Sequence, residues 1–160
     1  MTLTIGTDSY YSLADARAYW ASLGDTAWAA LTDAAAEVLI RKGTKWVDRS
    51  FEFIGDKATS EQRLKWPRYG AEVEGFCLDS TVIPWQVEEA TAIIAEMYRV
   101  GTFDMEGVVT NDSASINKTK VDVVEVGYDT SKRLQGGSIP SNVIELLRPV
   151  TRGSGGLKRA

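Results

Sequence analysis

Thr32-Asp33-Ala34-Ala35-Ala36-Glu37-Val38-Leu39-Ile40-Arg41-Lys42-Gly43-Thr44-Lys45-Trp46-Val47-Asp48-Arg49 reads as one long amphipathic helix. Ala36, Leu39, Ile40, Gly43, Trp46, Val47 and, just beyond, Ser50 recur at the spacing of a single helical face. Small residues on that face permit a second helix to come close. The outer face carries Arg41, Lys42, Lys45 and Arg49. A helix of this length with one apolar stripe needs other helices to cover it, so the spacing predicts a mainly α fold.

Working back toward the N-terminus, Ser12 and Asp15 have the Ser-x-x-Asp spacing of a capping box. They predict a short helix that buries Leu13, Ala16, Trp20 and Leu23 and stops at Gly24, with Tyr11 packed on its first turn. Forward of the long helix, Phe51, Phe53 and Ile54 lead to Gly55 as an extended exit and turn. Thr59 and Gln62 form another capping box, predicting a short helix over 60–65 that Pro67 ends, which sets Trp66 at a sharp bend. Residues 70–80 read as loop. Pro84 then takes a first-turn position in a third main helix, whose stripe is Val87, Ala90, Thr91, Ile94, Met97 and Tyr98 and whose end is Gly101.

Beyond Gly101 the pattern changes. Val121, Val123, Val124, Val126 and Tyr128 suit a strand, and the polar run Ser113 to Lys118 can pair with it, giving a β-hairpin at about 107–129. Such a hairpin is marginal alone and must pack on the helices or on a neighbouring subunit. Gly136, Gly137 and Ser138 form a hinge before a last helix from Pro140 to Leu147, ended by Pro149. Ile83-Pro84-x-x-Val87 and Ile139-Pro140-x-x-Val143 start two helices in the same way. The expected fold is a small bundle of four to five helices with an inserted β-hairpin. It forms one domain over residues 1–150, followed by a flexible basic tail over 151–160.

Composition bounds the chemistry. With 160 residues and 44% hydrophobic content the chain fits one compact domain. It has no apolar run near the roughly 18 residues that cross a bilayer, and Met1 to Tyr11 has no signal-peptide pattern, which predicts a cytosolic origin and no membrane partner. The lone cysteine, Cys77, excludes an intramolecular disulfide and reads as a small buried or half-buried hydrophobe. Net charge is −4, and the last ten residues hold Arg152, Lys158 and Arg159 with no acid, so the rest of the chain stands at −7. An acidic body argues against a surface built throughout to embrace nucleic acid, while leaving room for local patches.

There is no histidine, so Ser-His-Asp and Cys-His mechanisms are impossible within the chain. The carboxylate pairs Glu72/Glu74, Glu88/Glu89 and Asp104/Glu106 fall in loops or on faces expected to be solvated, where nothing raises a pKa for acid–base work. Asp104-Met105-Glu106-Gly107 is too short for a calcium loop, and the glycines of 153–156 do not have phosphate-loop spacing. No catalytic, cofactor or metal residue is expected.

Two stretches interleave basic and aromatic residues: Arg41, Lys42, Lys45, Trp46 and Arg49, then Arg63, Lys65, Trp66, Arg68 and Tyr69. Phosphate pairing plus base stacking grips single strands without sequence preference, which makes Arg63, Lys65, Arg68 and Tyr69 candidate DNA contacts. Against this, Trp46 lies on the apolar helix face. Trp66 before a proline fits a core anchor, with Trp66, Pro67 and Arg68 forming a structural lock.

At these residues the chain resembles a family of tailed-bacteriophage head-tail connector or adaptor proteins, often described from sequence as DnaT-like single-stranded DNA-binding proteins. The matching pieces are Tyr11-Ser-Leu-Ala-Asp-Ala16 with Trp20, then Gly24 and Trp28-Ala-Ala-Leu31-Thr-Asp33, then Leu39-Ile40-Arg41. They continue with Trp46-Val-Asp48-Arg-Ser-Phe51, Gln62-Arg-Leu-Lys-Trp66-Pro67-Arg68 and Ile83-Pro84-x-x-Val87-x-x-Ala90. Lys42-Gly43-Thr44 departs from the pattern, and the part after Gly101 matches only in outline. The resemblance implies a structural adaptor, without enzymatic activity or cofactor, at the neck of a virion and made in the host cytoplasm. It would assemble as a ring of twelve copies under the portal protein, present a platform to the next neck or tail-completion protein, and let genomic DNA pass without sequence readout. On that implication the tail residues Arg152, Leu157, Lys158 and Arg159 are candidates for docking on the portal. The alternative is a single-stranded DNA-binding module of DnaT-like type.

Overall fold

A computed structural model describes residues 2–102 and 140–152. The chain is mainly helical. Helix α1, Leu13–Ser22, starts where Ser12 Oγ accepts the Asp15 N–H at 3.0 Å. Gly24, at φ +79°, turns the chain out of it in a left-handed conformation that a side chain would strain. Leu23 is already outside the last turn and is 61% exposed, so the expected burial of that leucine does not occur. A four-residue helix missed in the sequence, α2 (Ala27–Ala30), follows, with Asp25 Oδ1 accepting the Ala27 N–H at 2.7 Å. It delivers the buried Trp28, whose ring stacks on Trp20 at 6.0 Å and whose Nε1 donates to Glu96 at 2.6 Å.

Helix α3, Asp33–Ser50, is capped by Thr32, whose Oγ1 accepts the Ala35 N–H. It buries Ala36, Ile40, Gly43, Thr44, Trp46 and Val47; Leu39 is half-buried and Ser50 is exposed. Helix α4, Trp85–Val100, begins after Pro84 and ends at the left-handed Gly101. Gly43 is where α3 and α4 touch: a Cβ there would lie 2.5 Å from the Thr91 carbonyl oxygen and 3.1 Å from the Ala95 nitrogen. Helix α5, Ser141–Leu147, runs into a 3-10 turn, Arg148–Val150, and buries Val143, Leu147 and Val150 in the same core as α4. The chain then bridges back to the exit of α3. Phe53 pairs with Thr151, the Ile54 N–H donates to the Val150 carbonyl at 3.1 Å, and the Arg152 N–H donates to the Glu52 carbonyl at 2.9 Å.

Residues 60–65 do not form the expected helix. Gln62 Oε1 accepts the Thr59 N–H at 2.9 Å, but Gln62 Nε2 donates to the carbonyls of Leu64 and Pro67, and the Lys65 N–H donates to Asp48 Oδ1 at 2.7 Å. Tertiary partners take the groups a helical turn would need. The segment is closed instead by an antiparallel pair, β1 (Asp56–Lys57) with β2 (Arg68–Tyr69). The expected loop at 70–80 holds a second pair, β3 (Glu72–Val73) with β4 (Phe76–Cys77), turned by Glu74 and Gly75 at φ 52° and 84°. Both β4 residues are exposed, so Cys77 is not the buried hydrophobe its residue type suggests. The hairpin expected at 107–129 and the tail residues 153–160 lie outside the described residues.

Candidate nucleic-acid interface

The close approach at Gly43 sets the outer face of α3 beside Tyr98 of α4. Lys42, Lys45, Trp46, Arg49 and Tyr98 line an open groove of about 440 Å³. Lys42 Nζ lies 5.8 Å from the centre of the Tyr98 ring, within cation–π range. Trp46 is 5% exposed, with its ring edge-on to Phe51 at 6.0 Å, so it closes the floor and offers little face for a base. Among the described residues, no carboxylate pairs with Lys42, Lys45 or Arg49. Arg41, the fourth cation of this stretch, is committed elsewhere: it reaches Asp8 at 3.0 Å and Glu37 at 3.5 Å.

The second basic–aromatic stretch is arranged differently. Lys65 Nζ donates to the Phe51 carbonyl at 2.7 Å and to Glu52 Oε1 at 2.8 Å, and that pairing holds the Glu52 carboxyl below its usual range. Arg68 is buried, and burial together with the neighbouring Arg152 pulls its guanidinium below the usual arginine value. Three of its five donors go to carbonyls: Nε to Ile54 at 2.7 Å, Nη1 to Lys65 at 3.1 Å, Nη2 to Gly55 at 2.5 Å. Trp66 is wholly buried, edge-on to Phe53 at 5.7 Å, and joined to Pro67 by a cis peptide bond. Of the four candidate contacts here, only Arg63 and Tyr69 present exposed side chains.

Sequence reasoning missed what holds Trp66 in place. The buried Tyr10 donates its hydroxyl to Asp48 and accepts the N–H groups of Lys65 at 3.2 Å and Trp66 at 3.3 Å. Burial, then Asp48, pushes the Tyr10 hydroxyl far above the ordinary tyrosine range, so it stays a donor. Tyr10 comes from a segment with no periodic pattern, and only the folded chain brings it to the bend.

The carboxylates Glu88 and Glu89 are half-buried, contrary to the solvated face expected for them. Burial, and then Asp15, raises Glu88, while Glu89 accepts the Tyr19 hydroxyl at 2.8 Å. Glu72 and Glu74 are exposed, and Asp104 and Glu106 lie outside the described residues. Among the described residues no group of three potential metal ligands comes together, and no helix is long and apolar enough to cross a membrane. Of the tail residues, Arg152 turns onto its own chain, donating to the Gly55 carbonyl at 3.1 Å with Asp56 at 3.8 Å. Leu157, Lys158 and Arg159 lie outside the described residues.

No curated protein and no solved structure matches the chain. A family profile does, over residues 2–160, and its description is "Putative DnaT-like ssDNA binding protein". With nearly the whole chain matched, this protein belongs to that DnaT-like family.

Proposed function

We propose that this protein binds single-stranded DNA, and that the groove between α3 and α4 is where it does so. The observation that carries the reading is the set of three cations, Lys42, Lys45 and Arg49, facing one groove without carboxylate partners among the described residues. The family description points the same way. With Trp46 sunk in the floor, binding rests on phosphate neutralisation more than on stacking. Three phosphate contacts on a single strand give a slope of log affinity against log salt of about −2. Affinity for a fluorescent oligothymidylate should then fall about 20-fold between about 50 and 200 mM salt. Fluorescence anisotropy of the double variant Lys45→Gln, Arg49→Gln should show weaker binding and a slope reduced to about −0.7. Arg63→Gln should leave both unchanged. The reverse pattern, with Arg63→Gln destroying binding and the double variant retaining it, would place the site elsewhere.

A second reading is favoured by the apolar surface. Phe76 and Trp85 are 75% and 61% exposed, a large apolar commitment for a chain that does not assemble. That reading makes the protein a ring-forming head-tail adaptor of a tailed phage, located in the virion neck and contacting portal and next neck protein, with the docking tail narrowed from 151–160 to 153–160 because Arg152 is held on Gly55 and Asp56. Its test is co-sedimentation of full-length protein and a variant lacking 153–160 with purified portal rings. Loss of attachment with unchanged thermal unfolding supports it; equal attachment sinks it.

A further inference from the structure

We infer that α3 is a short phosphate rail: a single strand runs along the helix axis, and each protomer engages only about three nucleotides. The inference rests on the groove being the binding site and specifies how a strand lies in it. Lys42, Lys45 and Arg49 stand at i, i+3 and i+7, which puts them within an arc of about 60° on one side of the helix. From first to last they span seven residues, about 10 Å of axis. A stacked strand advances about 3.4 Å per nucleotide, so the rail meets about three successive phosphates, and fewer if the strand is drawn out.

The rail is bounded at both ends. Toward the helix start, the next position on the same face, Val38 at i−4 from Lys42, is apolar and 47% exposed. Arg41 beside it is held by Glu37 and Asp8. Past Arg49 the helix stops at Ser50, Phe51 is extended, and the next charge is the exposed carboxylate of Glu52. A strand continuing beyond either end therefore meets no further cation of α3. Each protomer holds a fixed small number of phosphates whatever the strand length, and a longer strand gains by accepting more protomers in file.

The test uses the full chain and oligothymidylates of four, eight and sixteen nucleotides. The salt slope of the one-to-one complex should be about −2 for all three lengths, and the number of protomers bound at saturation, read by sedimentation velocity, should rise with length. Val38→Lys lengthens the rail by one cation and should steepen the slope by about 0.7 with a several-fold gain in affinity. Leu23→Lys adds the same charge at an exposed position of another element and should leave the slope unchanged. A one-to-one slope that steepens with strand length, or equal effects of Val38→Lys and Leu23→Lys, overturns the rail while leaving single-strand binding standing. Absence of binding to every oligonucleotide at low salt removes both.

Discussion

Trp66 stabilises the fold through its volume. Its indole is wholly buried against Phe53, and its Nε1 finds no acceptor among the described residues, so the gain comes from packing and not from a hydrogen bond. The polar work at the bend is done by Tyr10 and Asp48, which accept the backbone N–H groups of Lys65 and Trp66. Trp66→Ala should therefore cost about 3 to 5 kcal/mol, the range for deleting a buried large aromatic. Urea unfolding measures it, and a loss below about 1 kcal/mol would mean that the cavity collapses or the ring is not where the fold needs it. Arg68 shows how residue type and residue role part company. In sequence it stands both as a candidate DNA contact and as part of a lock with Trp66 and Pro67; in the structure Ile54, Gly55 and Lys65 supply the carbonyls that absorb it. Nothing local to Arg68 announces those partners.

At the scale of elements, what the sequence made legible was whatever is decided locally. Ser12, Thr32, Pro84 and Pro140 start α1, α3, α4 and α5 because caps and proline act on the first turn that follows them. Gly24 and Gly101 end α1 and α4 because the left-handed conformation there costs glycine least. The failures have a common cause. Thr59 and Gln62 have the spacing of a capping box, yet Gln62 is drawn to the carbonyls of Leu64 and Pro67 and the helix gives way to tertiary bonds. Helix α2 is too short for periodicity to reveal. The β3–β4 hairpin carried one readable signal, Gly75 between Val73 and Phe76, but its strands of two residues are too short to alternate. The cations of the candidate site were legible only as an outer helix face, which Lys42, Lys45 and Arg49 share by spacing alone; the DNA contacts named from sequence were Arg63, Lys65, Arg68 and Tyr69. Tyr98, the wall contributed by α4, enters only because Gly43 lets the two helices close.

The whole molecule is acidic, at −4, and the cations of the α3 groove form a local positive cluster on it. On the proposed reading a strand binds at that cluster, and binding weakens as salt rises, because phosphate neutralisation carries the affinity. Where a strand sits is read from a map of backbone amide chemical shifts as a short oligothymidylate is titrated into the labelled protein at low salt. Saturable shifts should be largest at Lys42, Lys45, Trp46, Arg49 and Tyr98. Shifts concentrated at Arg63 and Tyr69, or no saturable shift along α3, would rule out the α3 groove as the binding site.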